Sequence, residues 1–334
     1  GFFMPLKLIL TLTAMCLVFF VIRFLEFEIK KRRIRNAFGR YVSPGLVEKL
    51  VKRPELLRLG GEKKILTLLF CDIRHFNSIA QTLTAHELAN FLNRFLTPMT
   101  DIVLKQNGTI DKYVGDCLMA FWNAPLEDPD HARHACEAAL NMRRHLVDWN
   151  RELYAEARAV DKIFVPIQIG IGISSGECCV GNMGPSQHFN YSVLGDDVGV
   201  ASRLENLSKI YGIDILISES TNDIVSSDYA TMEADRIRVK AGEDPIRIFA
   251  LFGGRILKQS DEFQNLLRYH EEMLEAYRSQ RWLEALKLIR ECSNWDTPRF
   301  RVRMLYELYT KRIQSYRLLP PDPDWDGTYD SETK

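Results

Sequence analysis

The order of predicted strands and helices between residues 61 and 253 restricts the fold of this 334-residue chain more than any other feature. Residues 64–71 are mostly apolar and predict a buried strand, and Gly115 separates two short apolar runs, as in a hairpin. Thr84 and Glu87 form a capping box, which predicts the start of a helix. The remaining predicted elements are a helix from Asp128, strands at residues 164–174, 189–194 and 214–218, and a helix at 196–211. This β-α-β-β-α-β order predicts an α+β fold with a ferredoxin-like core.

Composition and charge exclude several classes of protein. Lys plus Arg and Asp plus Glu both number 44, so the formal net charge is zero, and 46% of the residues are hydrophobic. This balance argues against a disordered chain and against a nucleic-acid-binding protein. The seven cysteines include no C-x-x-C pair, which favours reduced thiols in a cytosolic domain over a disulfide framework.

The N-terminal segment has the length and composition of a transmembrane helix. Phe2 to Ile22 is apolar apart from Lys7, and about twenty apolar residues span a hydrocarbon core of ~30 Å. Basic residues follow this run at positions 30–35, whereas a signal peptide carries them before it. We therefore predict a single or last transmembrane helix in residues 1–25, in the cell inner (plasma) membrane; a buried core helix is the alternative. Because the first residue is Gly1, we expect further sequence upstream.

Residues 26–60 are predicted to form a cytoplasmic helical linker. The predicted helix is broken at residues 38–44, and a second short helix, at residues 45–53, stops at Pro54. This segment is either a spacer or an element that transmits a signal from the membrane, and its residues favour neither interpretation.

Two aspartates are candidate metal ligands. Asp72 ends a predicted buried strand, and Asp116 begins another at the hairpin. If the strands are neighbours, the two like charges repel each other unless a cation lies between them. Carboxylate oxygens would favour Mg²⁺ or Mn²⁺. A pair of surface aspartates in turns fits the same spacing.

Other motifs are less specific. The chain contains no G-x-x-x-x-G-K-[ST] motif, which excludes the P-loop NTPases, and Gly170, Gly172 and Gly176 do not have the dinucleotide-binding spacing. His131 and His134 lack an evident third metal ligand, so we expect them on a solvated helix face.

Three segments, at residues 70–76, 108–122 and 191–205, closely resemble the motifs of the class III nucleotidyl (adenylate) cyclase catalytic domain. They occur in the family's order within residues 61–254. Residues 38–44 also resemble the linker that precedes the catalytic domain in bacterial membrane-bound cyclases with an extracellular CHASE-type sensor. The resemblance implies a membrane-anchored adenylate cyclase, a lyase that converts ATP to 3′,5′-cyclic AMP and pyrophosphate in signal transduction.

The family's motifs imply a role for each matching residue. Asp72 and Asp116 match the metal-binding aspartates, and Ile73 matches a backbone ligand, for two divalent ions (Mg²⁺ or Mn²⁺) per site. Lys112 and Ser192 match the positions that read the purine, and a lysine there favours adenine. Phe76 and Asn77 belong to the loop that binds the substrate phosphates, and Arg203 matches the arginine that stabilises the transition state. In the family these residues come from two protomers, which implies a homodimer.

Three positions depart from the family pattern. Gly199 stands where a second transition-state residue, an Asn, is usual; losing such a donor typically costs about 2.7–4 kcal/mol. His75 replaces a Gly and Asn77 a Thr in the phosphate loop. Because both aspartates, Lys112 and the transition-state arginine are retained, we expect an active cyclase of low turnover. The alternative is a catalytically impaired homologue that acts as an ATP-binding regulatory or dimerisation module.

Residues 255–334 are predicted to be helical with an acidic tail. Helices on either side of Ser279 resemble a tetratricopeptide-type hairpin, and a third helix is predicted at residues 298–316. A single hairpin cannot bury its apolar face alone, so we expect this region to pack on the cyclase domain or on its dimer mate. Trp325 is predicted to anchor the tail at residues 320–327.

Overall fold

The computed structural model describes part of the N-terminal region and most of the chain from Gly60 onward. The described residues are 15, 17, 19–23, 60–159, 161, 164–185, 190–238 and 244–330. The chain divides into two compact units, Gly1–Arg58 and Leu59–Lys334. None of the helices formed by these described residues is both long and apolar enough to cross a bilayer. Most of the predicted membrane segment, and the predicted linker up to residue 59, lie outside the described residues.

The second unit alternates strands and helices, continues with a run of helices and ends in a short strand. Its strands are β1 (Gly60–Ile73), β2 (Thr109–Val114), β3 (Cys117–Trp122), β4 (Ile169–Met183), β5 (Asn190–Leu194), β6 (Ile215–Ser218), β7 (Ala230–Arg238), β8 (Ile246–Gly253) and β9 (Tyr329–Asp330). Its helices are α1 (Phe76–Ala80), α2 (Ala85–Lys105), α3 (His131–Ala159), α4 (Asp196–Tyr211), α5 (Glu219–Val225), α6 (Arg255–Lys258), α7 (Asp261–Arg278), α8 (Trp282–Ser293) and α9 (Arg303–Leu318).

One mixed sheet organises these elements. Its strand order is β2-β3-β1-β4-β6-β8-β7-β9, and β5 pairs with β4. The central strand β1 is antiparallel to both β3 and β4, and Asp72 lies opposite Gly170 of β4. The capping box of Thr84 and Glu87 begins α2 as predicted, and Gly115 adopts a positive φ of 65° between β2 and β3. Strand β4 is longer than predicted, because it pairs with all of β1.

Successive residues of β1 face opposite sides of the sheet, and each side has its own core. Leu69 and Cys71 pack with residues of α2 and α3 on one face. Leu66 and Leu68 pack on the other face, with β5 and with Ala201 of α4. Helix α4 is therefore held against the sheet, close to the end of β1.

The C-terminal helices complete the core of the same chain. Residues of α7, α8 and α9 form one cluster with α4, β7 and β8. Trp325 of the tail contacts the rings of Tyr277, Trp282 and Tyr316, with centroids 5.2–6.3 Å away. Strand β9 then pairs with β7. The region thus packs on the sheet and on α4, rather than standing apart.

A buried charged network connects α9 to the sheet. Arg312 of α9 donates a 2.6 Å hydrogen bond to Asp235 of β7, and both side chains are buried. Asp235 also accepts hydrogen bonds from the hydroxyls of Tyr211, at the end of α4, and Tyr309. These contacts fix the C-terminal end of α4.

Candidate active site

Two carboxylates meet where β1 ends and the β2–β3 turn begins. The backbone N–H of Ile73 donates to Asp72 Oδ1 at 3.0 Å and to Asp116 Oδ2 at 3.1 Å. The two residues are 44 positions apart in the sequence, and the pairing of β1 with β3 brings them side by side. One backbone donor therefore serves two acidic side chains.

The electrostatics of this pair fit a bound cation. Burial and the neighbouring Asp72 raise the pKa of Asp116 to about 7. Two ionised carboxylates this close are unfavourable unless a positive charge compensates them. In the described part of the chain, no three His, Cys, Asp or Glu side chains are grouped to hold a metal ion. The oxygens suited to a hard divalent cation here are those of the two aspartates and the Ile73 carbonyl.

Helix α4 adds two residues that the sequence analysis did not single out. Lys209 Nζ lies 3.2 Å from Asp72 Oδ2 and 3.3 Å from Glu205 Oε1. Burial raises the pKa of Glu205 to about 7. Their spacing of four residues on a predicted helix indicates a local ion pair. Their position beside Asp72 follows only from the packing of α4 against β1.

The side chains that follow Asp72 differ in burial. Arg74 is buried, and its Nη2 donates to the carbonyls of Ser208 and Ile213 at 3.1 and 2.7 Å, so this guanidinium supports the end of α4. Phe76 is partly buried against the core, whereas Asn77 is exposed.

His75, between Arg74 and Phe76, has a left-handed backbone with φ 59° and ψ 28°. A residue with a Cβ is strained in this conformation, which glycine adopts readily. His75 therefore occupies a backbone conformation that glycine would adopt with less strain.

The two positions that were predicted to read the purine are brought together by a third residue. Ser192 Oγ donates to Asp111 Oδ2 at 3.1 Å, and Lys112 Nζ lies 3.5 Å from the same oxygen. Asp111 is 1% exposed in its side chain and Lys112 is 52% exposed. Burial raises the pKa of Asp111. Asp111 was not among the residues predicted from the sequence, although an acid beside Lys112 in a short strand is a usable signal.

Arg203 lies on a different face of α4 from the residues that contact Asp72. At about 100° per residue, it is rotated by about 200° from Glu205 and by about 240° from Lys209. Gly199 is one turn earlier and exposed, and a Cβ built there meets no atom within 4 Å. Arg203 therefore projects from α4 in a different direction from Lys209, which contacts Asp72.

A family model described as the adenylate and guanylate cyclase catalytic domain matches residues 61–253, more than half of the chain. The chain belongs to this family. The predicted class III cyclase domain and its α+β fold are thereby confirmed. Adenylate cyclase 1 of Rhizobium meliloti is 32% identical to the chain over 189 residues, covering 56% of the chain and 28% of that protein. Adenylate cyclase of Anabaena cylindrica is 31% identical over 226 residues, covering 66% of the chain and 43% of that protein.

A solved structure has the same fold. The crystal structure of the adenylyl cyclase CyaB from P. aeruginosa matches with a TM-score of 0.53 and 33% identity, covering 58% of the chain and 96% of that structure. The chain spans less than half the length of the two curated relatives. Their resemblance therefore concerns the cyclase domain and not the whole of either protein.

Proposed function

We propose that this chain is a membrane-anchored adenylate cyclase that converts ATP to 3′,5′-cyclic AMP and pyrophosphate at a homodimer interface. The observation that carries the proposal is the convergence of Asp72 and Asp116 on the N–H of Ile73, in a chain of the cyclase family. In this reaction the ATP 3′-hydroxyl attacks the α-phosphate, and pyrophosphate leaves.

The aspartate pair would hold two divalent ions together with the Ile73 carbonyl. Mg²⁺ or Mn²⁺ bound there would lower the pKa of the 3′-hydroxyl and neutralise phosphate charge. The protein's part is to orient both carboxylates, which the Ile73 N–H does by donating to each of them.

The adenine would bind at Lys112 and Ser192. Because the Ser192 hydroxyl donates its proton to Asp111, its oxygen can accept a hydrogen bond from the N6 amino group of adenine, and the Lys112 ammonium can donate to N1. Asp111 holds both side chains from a buried position, so the purine would meet groups whose direction is already fixed. Lys112 at this position supports ATP over GTP as the substrate.

The position of Arg203 supports a homodimer. Arg203 projects from α4 in a different direction from Lys209, which contacts Asp72, so an arginine from the partner would complete each site. Arg203 would neutralise the charge that develops on the α-phosphate in the transition state. A small rotation between the protomers would then assemble or separate the site.

The membrane anchor is proposed from the sequence. The apolar run of Phe2 to Ile22 and the basic residues after it support a helix in the plasma membrane with the cyclase domain in the cytoplasm.

A second candidate function rests on Gly199 and His75. Gly199 lacks the side chain of the family's transition-state donor, and His75 has a strained backbone in the phosphate loop. Both favour an impaired homologue that binds ATP and acts as a regulatory or dimerisation module.

One assay distinguishes the two functions. The purified full chain is incubated with ATP and Mn²⁺ and cyclic AMP is measured, with the variant Asp72→Ala/Asp116→Ala as control. Cyclic AMP well above the control supports the cyclase. No product above the control, together with ATP binding measured by calorimetry, contradicts it and supports the second candidate.

A further inference from the structure

Lys209 of α4 places an ammonium group beside the carboxylate pair that the cyclase reaction would use. Its Nζ lies 3.2 Å from Asp72 Oδ2 and 3.3 Å from Glu205 Oε1. We propose that Lys209 is a built-in counter-ion: it neutralises Asp72 in the metal-free protein, and an arriving divalent ion displaces it from Asp72 while it keeps its contact with Glu205. This inference rests on the proposed metal-dependent function.

Both oxygens of Asp72 are engaged in the described structure. Oδ1 accepts the hydrogen bond from the Ile73 N–H, and Oδ2 accepts one from Lys209. A metal ion bound to Asp72 Oδ2 would lie close to the Lys209 ammonium on the same oxygen, and the two positive charges would repel each other. The Lys209 ammonium can move away from Asp72, because it is at the end of a flexible side chain that is 36% exposed. The Ile73 N–H cannot, because it belongs to the backbone of β1.

Glu205 provides the second contact of the ammonium. It lies four residues before Lys209 on α4, so both side chains share one face of the helix. The Glu205 side chain is only 5% exposed. A buried carboxylate without a counter-charge is strongly unfavourable, so Glu205 would retain the ammonium after it leaves Asp72.

The space for Glu205 is made by a glycine. Gly170 lies opposite Asp72 in the β1–β4 ladder, and a Cβ at position 170 would lie 2.9 Å from Glu205 Oε1. The missing side chain lets Glu205 lie beside the strand that carries Asp72. The ammonium therefore bridges two carboxylates that are each held by the fold, and the loss of one contact leaves the other.

Charge explains why the exchange can be reversible. One ammonium contacts the carboxylates of Asp72 and Glu205, and the third carboxylate, of Asp116, lies beside Asp72. A divalent ion carries twice its charge and attracts the aspartate pair more strongly at equal distance. Without the ion, the ammonium limits the repulsion between the carboxylates. The cost of its displacement weakens metal binding, so Lys209 would set the metal concentration at which the site fills.

A purely structural ion pair predicts different behaviour. If Lys209 only joined α4 to β1, its removal would loosen Asp72 and weaken metal binding. If it competes with the metal, its removal strengthens metal binding while it destabilises the metal-free protein. The sign of the change in metal affinity separates these roles.

The test is thermal unfolding of the full chain without nucleotide, in EDTA and at increasing Mn²⁺ concentration, because a ligand stabilises the folded state according to its Kd. Lys209→Met should lower Tm in EDTA and lower the Kd for Mn²⁺ by about 3- to 10-fold. Lys209→Arg, which keeps the charge, should leave the Kd within about 2-fold of the original. A Kd for Lys209→Met that is unchanged or higher overturns the proposal.

A double-mutant cycle tests the retention of the ammonium by Glu205. Glu205→Gln should raise the Kd for Mn²⁺ more in the original chain than in the Lys209→Met variant, because only the former has an ammonium for Glu205 to retain. Equal effects in both backgrounds contradict this retention. Asp72→Ala/Asp116→Ala should remove the stabilisation by Mn²⁺ altogether. If it does not, the metal site of the proposed function is wrong; if it does while Lys209→Met has no effect, only the counter-ion is wrong.

Discussion

The Ser192 hydroxyl donates a 3.1 Å hydrogen bond to Asp111 Oδ2, although 81 positions separate the two residues in the sequence. Strand β5 pairs with the far end of β4, and this hairpin returns to the edge strand β2. Lys112 lies 3.5 Å from the same carboxylate oxygen. Asp111 therefore couples the two residues that we expect to read the purine.

Lys112→Glu should shift the preference from ATP toward GTP. A glutamate accepts hydrogen bonds, which suits the N1 and N2 donors of guanine and leaves adenine without the lysine donor. We expect the ratio of kcat/KM for GTP to that for ATP to rise by about 10-fold or more. Lys112→Met is the control, since it removes the ammonium without adding an acceptor and should lower ATP turnover only. An unchanged ratio would show that another residue reads the base.

Gly199→Asn should raise the turnover with ATP. The amide restores a polar donor at the position where the family has one, and its Cβ meets no atom within 4 Å. A missing transition-state donor costs ~10²–10³ in rate, so we expect kcat to increase by at least ~10-fold with little change in KM. Gly199→Ala tests the effect of helix propensity alone. Equal gains from both variants would rule out the donor as the cause.

His75→Gly should stabilise the protein. The left-handed backbone of His75 costs a residue with a Cβ about 1–2 kcal/mol. Glycine avoids this strain, but it loses more backbone entropy on folding, which offsets part of the gain. We expect the free energy of unfolding, measured by urea denaturation, to increase by about 1 kcal/mol. His75→Ala keeps the strain and should give no gain. A comparable gain from the alanine variant would place the strain elsewhere.

Stability should fall in mild acid because of His270. Its Nε2 donates to the Glu233 carbonyl at 2.6 Å, its Nδ1 contacts the Tyr306 hydroxyl, and burial lowers its pKa to about 4. The unfolded chain, with an ordinary pKa near 6.5, binds this proton more tightly. Stability is therefore fully present above pH 6.5 and is lost as the pH falls toward 4. We expect His270 to contribute a loss of about 2 kcal/mol between pH 7 and pH 5.

The control for this pH dependence is His270→Gln. Glutamine keeps a polar group at the position but does not titrate, so the unfolding free energy should change less between pH 7 and pH 5. Urea unfolding at both pH values measures the difference. If the two proteins lose the same stability, other groups cause the acid sensitivity.

Arg312→Met should destabilise the fold strongly. It leaves the buried Asp235 carboxylate without its counter-charge, and such a loss costs about 3–5 kcal/mol. Chemical denaturation measures the change. The double variant Arg312→Met/Asp235→Asn removes both charges and should recover part of the loss. If it recovers none, packing of the arginine rather than its charge supports the C-terminal helices.

Much of the local structure as far as β6 could be predicted from the sequence, whereas α5, β7 and β8 were not predicted. The capping box of Thr84 and Glu87, the turn at Gly115 and the order of strands and helices depend on neighbouring residues, whose preferences act over a few positions. The motifs around Asp72 and Asp116 were enough to indicate the family. The length of β4 was underestimated, because a strand's extent depends on its partner.

Contacts between distant residues were decided only by the tertiary structure. The sequence by itself determined which side chains are available, and it indicated the roles of Lys112, Ser192 and Arg203 through the family's motifs. It could not show that Asp111 joins two of them or that Lys209 and Glu205 lie beside Asp72. Such contacts depend on how α4 and the β4–β5 hairpin pack on the sheet, and packing sums many weak interactions between residues far apart in the chain.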